Sequence, residues 1–285
     1  MSSIPAPRNV VDYLGLASAY LAARGFEQPR LDAELLLGHV LDLARLELYL
    51  HHDRPLDPRE VDAYRELLRR RGQGEPVAYL LGTAGFRSLV LLSDARALVP
   101  RPETEGLVEL ALAALPDGGA LLDLGTGSGA IALAIATERP DAQVTASDAD
   151  ADALALAAAN AERLGVRPRL VRSDLYDDLP VGERYDVIAA NLPYVPDDDP
   201  RVEAGVRDHE PPGALFAGPD GLDVIRRAVE GAPGRLRDGG RLVLEFGEGQ
   251  GDAVAALLHG RGFQEIAVTR DLAGIDRYGS GRWSG

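Results

Sequence analysis

Cysteine and lysine are both absent from this chain of 285 residues, and methionine and tryptophan occur once each. Without cysteine there is no disulfide, no thiol nucleophile and no thiolate zinc site. The five histidines, His39, His51, His52, His209 and His259, show no metal-ligand spacing. The adjacent pair His51-His52 is expected to cap a helix end, and no metal is expected. All positive charge comes from arginine and it is scarce, giving a formal net charge of -15. Such a chain repels nucleic-acid phosphates unless a local basic patch intervenes. The one compact basic run, Arg69-Arg70-Arg71, closes a predicted helix, where positive charge suits the dipole. No apolar run is long enough to span a bilayer, and "MSSIPAPRNV" does not read as an export signal. A soluble cytoplasmic protein without a membrane or direct nucleic-acid partner is therefore expected.

What is present is a good core-forming composition, 46% apolar, in a length that suits a core domain plus a smaller one. Residues 1–75 read as helices: "VVDYLGLASAYLAARG", "PRLDAELLLGHVLDL" and "DPREVDAYRELLRRRG" have helical spacing with clear starts and stops. In residues 76–100 short apolar runs are broken by Gly82, Gly85 and Ser93-Asp94, which predicts a β-hairpin linker rather than a helix. From 101 to 285 strands alternate with helices, which predicts an α/β domain with a mostly parallel sheet covered on both faces. The last two strands are expected to flank "RDLAGIDRYGSG" and to pair antiparallel at one edge.

The first strand of that domain runs into Asp123-Leu124-Gly125-Thr126-Gly127-Ser128-Gly129. Glycines permit a sharp turn and a close ligand approach, and the next helix N-terminus is expected to offer free N–H groups. Asp148 ends the second strand, where a carboxylate can accept from both hydroxyls of a ribose. A nucleoside-containing cofactor is expected. Gly125-x-Gly127-x-x-Ala130 also fits a dinucleotide pattern, so NAD stays a competitor. Asp123 argues against a pyrophosphate and suits the ammonium of a methionine moiety. Asp174 ends the third strand, where it can accept from an adenine amino group, with Leu175 beside the ring.

The segment "YDVIAANLPY" ends a buried strand at Asn191. The Asn191 amide and the Leu192 carbonyl, held by Pro193, make two acceptors that can grip an –NH2 group, with Tyr194 packing on its plane. That pattern points to methylation of a planar amide or amino nitrogen.

Together these motifs resemble the S-adenosylmethionine-dependent N-methyltransferases, and most closely the release factor glutamine N5-methyltransferases. The resemblance runs through "EPVAYLLG", "LVPRPETE", "DLGTGSGAIALAIA", "NLPY", "VRDHEPPGALFAGPDGL" and "RDLAGIDR". It implies a class I methyltransferase fold (Rossmann-like, seven-stranded) behind a helical substrate-recognition domain, with S-adenosyl-L-methionine as cofactor. It implies methylation of the glutamine in the Gly-Gly-Gln motif of bacterial class I release factors, by a monomer. It also implies that Arg101 or Glu103 shapes the substrate pocket, and that residues 197–213 form either a solvated loop or a lid, with Glu210-Pro211 matching the family. The family usually reads Asn-Pro-Pro-Tyr; here Leu192 replaces the first proline, and its carbonyl is read as the group that matters. The leucine form resembles rRNA adenine N6-dimethyltransferases, so an adenine or guanine N-methyltransferase acting on rRNA or DNA remains the alternative.

Overall fold

The structure is a computed structural model that describes residues 9–285. The first eight residues of the expected helical domain, and the reading of them as no export signal, lie outside the described residues. The chain divides into two compact units, one reaching to Gly82 and joined by Glu203–His209, the other Thr83–Val202 with Glu210–Gly285.

The first unit is helical: α1 (Val10–Ala22), α2 (Pro29–Leu41), α3 (Arg45–Leu50), α4 (Pro58–Arg71) and α5 (Val77–Leu81). Asn9 caps α1 by accepting from the Asp12 N–H at 3.0 Å. Asp57 and Glu60 form a reciprocal capping box at the start of α4. Val10, Leu14, Leu36, Leu37, Leu48 and Tyr64 make the core, and the Tyr64 hydroxyl donates to the Ala33 carbonyl at 3.0 Å. The basic run pairs inside this unit, Arg69 with Glu66, Arg70 with Glu75 and Arg71 with Asp32. His51 closes α3, as its position beside His52 predicts. The α5 helix occupies residues expected to begin the hairpin. Its one turn ends at Gly82, whose φ of +71° suits a helix stop. The later helix Ala204–His209 also packs in this unit, where a Cβ on Gly205 would lie 2.5 Å from the Gly74 carbonyl oxygen.

The second unit begins with the hairpin β1 (Thr83–Phe86) and β2 (Leu89–Leu92), whose Phe86, Leu89 and Leu91 are buried in this unit's core. Then follow α6 (Thr104–Ala114), β3 (Ala120–Leu124), α7 (Ala130–Glu138), β4 (Gln143–Asp148), α8 (Ala151–Leu164), β5 (Arg169–Arg172) and β6 (Tyr185–Ala190). With Ala204–His209 counted as α9, the unit continues with α10 (Asp223–Gly231), β7 (Leu236–Glu245), α11 (Gly251–Arg261), β8 (Gln264–Arg270) and β9 (Asp276–Arg282). The seven strands order as β5-β4-β3-β6-β7-β9-β8, with β5 to β7 parallel and β9 antiparallel to both its neighbours. Side chains of the central strands alternate between two cores: Leu121, Val187 and Ala189 face one with α6 and α7 residues, while Leu122, Ile188 and Ala190 face the other with α10 and α11 residues.

One strand lies where a turn was expected. Residues "DRYGSGR" form β9 itself, despite two glycines. A Cβ on Gly279 would lie 2.8 Å from Val254, and one on Gly281 2.9 Å from Phe263. These glycines let neighbouring side chains close over the strand, so they mark close packing rather than a turn.

Candidate active site

The strand order reverses between β3 and β6, and ligands bind at the carboxyl edge of such sheets near that point. A cavity of about 470 Å³ opens there. It is lined by Gly125–Ser128 after β3, Asp148 ending β4, Asp174 and Leu175 after β5, and Asn191–Pro193 after β6. Arg101, Thr104 and Pro211–Ala214 complete the wall. Its size suits a small-molecule site.

The glycine loop turns on Gly125, Gly127 and Gly129, all at positive φ (76°, 56° and 89°). A Cβ on Gly125 would lie 2.8 Å from Leu192 Cδ2, so the two segments meet only because position 125 has no side chain. The loop's own donors are largely engaged. Gly125 and Thr126 N–H both donate to the Ser147 carbonyl at 2.9 Å, and Gly129 N–H donates to Thr126 at 2.9 Å. Gly127 N–H donates to Asp148 Oδ2 at 2.8 Å. These four loop donors are engaged, whereas at the start of α7, where free N–H groups are expected, no hydrogen bond among the described residues occupies the N–H of Ala130 or Ile131.

Asp148 accepts from Gly127 with Oδ2 and from Asp150 N–H with Oδ1 at 2.9 Å. Burial raises its pKa, against the pull of these backbone donors. Asp174 and Leu175 also line the cavity, Asp174 with Oδ2 accepting from Arg227 at 2.9 Å. Leu175 holds a φ of +51° that turns the chain out of β5.

Three expected site residues stand elsewhere. Asp123 is fully buried behind the loop and does not line the cavity. Its Oδ2 accepts from the Thr126 hydroxyl at 2.5 Å and from Ala132 N–H at 3.0 Å, bracing loop and helix; among the described residues Oδ1 has no partner. Burial pushes this carboxyl up to about 7. Glu103 does not line the cavity; its carbonyl accepts from the Tyr278 hydroxyl at 2.5 Å. Tyr194 turns its hydroxyl to Glu245 Oε1 at 3.2 Å rather than presenting its ring to the cavity.

Asn191 and Leu192 do line the cavity. Asn191 Nδ2 donates to the Thr104 hydroxyl at 2.9 Å. Among the described residues no donor reaches Asn191 Oδ1 or the Leu192 carbonyl. The Leu192 side chain is 4% exposed and belongs to the core, so more than its carbonyl matters. Arg101 pairs with buried Glu210.

Thr104, Asn160 and Glu245, which the sequence did not single out for roles, complete the site together with Glu210. Thr104 meets Asn191. Glu210 accepts from Val99 N–H at 3.1 Å. Asn160, fully buried in the Ala-rich α8, accepts from Leu92 N–H at 2.6 Å and donates to the Ser128 carbonyl at 3.0 Å, fastening hairpin to loop. Glu245 ends β7 beside Asn191, since Ala190 aligns with Leu244. The rule that marks Asn191, a polar residue ending an apolar run at the carboxyl edge, marks Glu245 equally.

Comparison with known proteins identifies the family. Residues 12–82 match the family model of the PrmC N-terminal domain, and residues 104–206 that of the methyltransferase small domain. The release factor glutamine methyltransferase of Bordetella pertussis is 46% identical over 255 residues, covering 89% of this chain and 94% of that protein. Its counterpart in Geobacter sulfurreducens is 42% identical over 277 residues, covering 96% of each. A crystal structure of a methyltransferase from Pyrococcus furiosus superposes with a TM-score of 0.53 at 19% identity, over 68% of this chain and 89% of that one, a likeness of fold. The mostly parallel seven-stranded sheet with a helical unit is the class I methyltransferase architecture that the sequence predicts.

Proposed function

The chain belongs to the release factor glutamine methyltransferase family, and from that premise we propose that it methylates the side-chain amide nitrogen, N5, of the glutamine in the Gly-Gly-Gln motif of class I release factors, using S-adenosyl-L-methionine. The observation that carries the reading is the pair of unengaged acceptors, Asn191 Oδ1 and the Leu192 carbonyl, on the wall of a cavity that also holds two strand-end carboxylates.

The residues present fit the cofactor. Asp148, Asp174 and Leu175 line the cavity, and in this reading Asp148 accepts from ribose hydroxyls and Asp174 from an adenine amino group, with Leu175 beside the ring. Gly125 and Gly127, both at positive φ, present bare backbone to the cavity wall. Asp123 acts from behind, holding the loop through Thr126 and Ala132.

Bound S-adenosylmethionine supplies a methyl carbon on a sulfonium sulfur, whose bond breaks with the electron pair staying on sulfur. An amide nitrogen is a weak nucleophile because its lone pair is delocalised. Asn191 Oδ1 and the Leu192 carbonyl each accept one N–H of the substrate –NH2, aim the nitrogen and stabilise positive charge developing on it. One N–H proton is lost to water. Tyr194 supports this loop through Glu245 instead of stacking on the substrate. The net charge of -15 favours a protein over a nucleic acid as partner, and a release-factor substrate puts the reaction in the cytoplasm. The helical unit is assigned to recognition of that partner. Asn191→Ala should lower turnover by about 10² while keeping most of the cofactor affinity; undiminished turnover would rule out this role.

A further inference from the structure

We infer that Thr104 and Glu245 are positioning residues that hold the Asn191 side-chain amide in one of its two orientations, with Oδ1 toward the cavity. The inference rests on the role proposed for Asn191 above.

An asparagine amide can present either its acceptor or its donor end to a ligand. Only the acceptor end can take an N–H from a substrate –NH2. Nothing in the covalent structure of Asn191 selects it; the neighbours must. Asn191 Nδ2 donates to Thr104 Oγ at 2.9 Å. Thr104 opens α6 and is 4% exposed, so its hydroxyl has few other partners. A hydroxyl has one proton and two lone pairs. It accepts cleanly from Asn191 only when its own proton points elsewhere.

Glu245 provides the elsewhere. It ends β7 next to Asn191 and is fully buried. Its Oε1 accepts from the Tyr194 hydroxyl at 3.2 Å, the nearby Thr104 hydroxyl favours its charged form, and among the described residues its Oε2 has no partner. A carboxylate only accepts. It draws the Thr104 proton, leaves the Thr104 lone pairs to Asn191 Nδ2, and so turns Asn191 Oδ1 to the cavity. A protonated Glu245 can donate to Thr104 instead. The Thr104 proton is then free to point at Asn191, which favours the flipped amide and puts a donor against the substrate's own donors.

Burial opposes the charged form of Glu245 and pushes it up to about 7. The groups that face it are Tyr194 after β6, Arg277 and Tyr278 on β9, and Glu103 before α6. Arg277 favours the carboxylate and Glu103 opposes it. The orienting form of Glu245 therefore gains population as pH rises through neutrality.

The test uses the full chain with purified release factor and S-adenosylmethionine. Thr104→Val keeps shape and removes the hydroxyl, and should lower kcat at least about tenfold with KM for release factor changed less than about threefold. Thr104→Ser should restore kcat to within about threefold of the parent. The parent kcat should rise with pH through about 7, and Glu245→Gln should lower kcat and remove that limb. A second readout needs no substrate: hydrogen exchange of the Asn191 side-chain NH2, followed by nitrogen-15 NMR, should accelerate at least about tenfold in Thr104→Val. Parental kcat in Thr104→Val, serine behaving like valine, or unchanged Asn191 exchange would each overturn the inference. Faster Asn191 exchange in Thr104→Val than in the parent, with no methylation of release factor by the parent, would leave the orientation intact and refute the proposed function.

Discussion

Arg101 donates from Nη2 to the carboxylate of Glu210 at 2.5 Å, joining segments 109 positions apart on one wall of the cavity. Glu210 has no exposed side-chain surface, whereas Arg101 is 32% exposed. The pair fastens the strip before α6 to the Pro211–Ala214 wall. Arg101 thus shapes the pocket by building it, and its charge is already matched.

Breaking that pair should cost stability more than substrate affinity. Arg101→Met leaves the buried Glu210 carboxylate with the Val99 N–H as its one partner among the described residues. The loss should be about 2–3 kcal/mol, at the lower end for a buried pair because Arg101 is partly solvated. Glu210→Gln keeps an acceptor for Val99 and removes the buried charge, so it should cost less. Urea unfolding of the two variants checks this; Arg101→Met as stable as Glu210→Gln would contradict it.

The buried Asp123 predicts a pH dependence of stability. Its folded pKa is pushed up to about 7, against about 3.9 in the unfolded chain. Between those values the folded state binds more protons, so ionising Asp123 removes stability as pH rises, and the loss is complete above the folded value. Asp123→Asn can still accept from Thr126 and Ala132 without the charge. Its stability relative to the parent should climb between about pH 4 and 7 by an amount on the order of a few kcal/mol, then level off. Thermal melts across that range test it, and a pH-independent difference would refute it.

Leu192 was expected to act through its carbonyl, which predicts that Leu192→Pro is harmless. The structure changes that expectation. The side chain is buried and seats against Gly125, so Leu192→Ala should destabilise by about 2–4 kcal/mol through the lost contacts and cavity. Leu192→Pro should lose part of that packing and should not raise Tm. A variant Leu192→Ala as stable as the parent in chemical denaturation would show that the position is not packed as described.

Much of this was legible in the sequence because it follows short-range rules. Central strands with both faces buried read as apolar runs, and α4 announces itself with Asp57-Pro58 and stops before Gly72. The glycine loop, Asp148 and Asn191 are found by their place at strand ends. What was missed depends on contacts distant in sequence. The glycines of β9 look like a turn until Val254 and Phe263 are seen against them. Asn160 looks like one more surface residue in an alanine-rich helix until Leu92, 68 positions away, meets it. Asp123 reads as a ligand for an ammonium group because its neighbours are ligand-binding; only its full burial and its bonds to Thr126 and Ala132 show it bracing the loop.

The most direct measurement follows methyl transfer from labelled S-adenosylmethionine in a mixture of purified release factor and rRNA, with the labelled product mapped by mass spectrometry. The account predicts one methyl group on the side-chain nitrogen of the Gly-Gly-Gln glutamine, none on the RNA, and none on a release factor with that glutamine replaced by alanine. Label on the RNA, or undiminished label on the alanine variant, would contradict it.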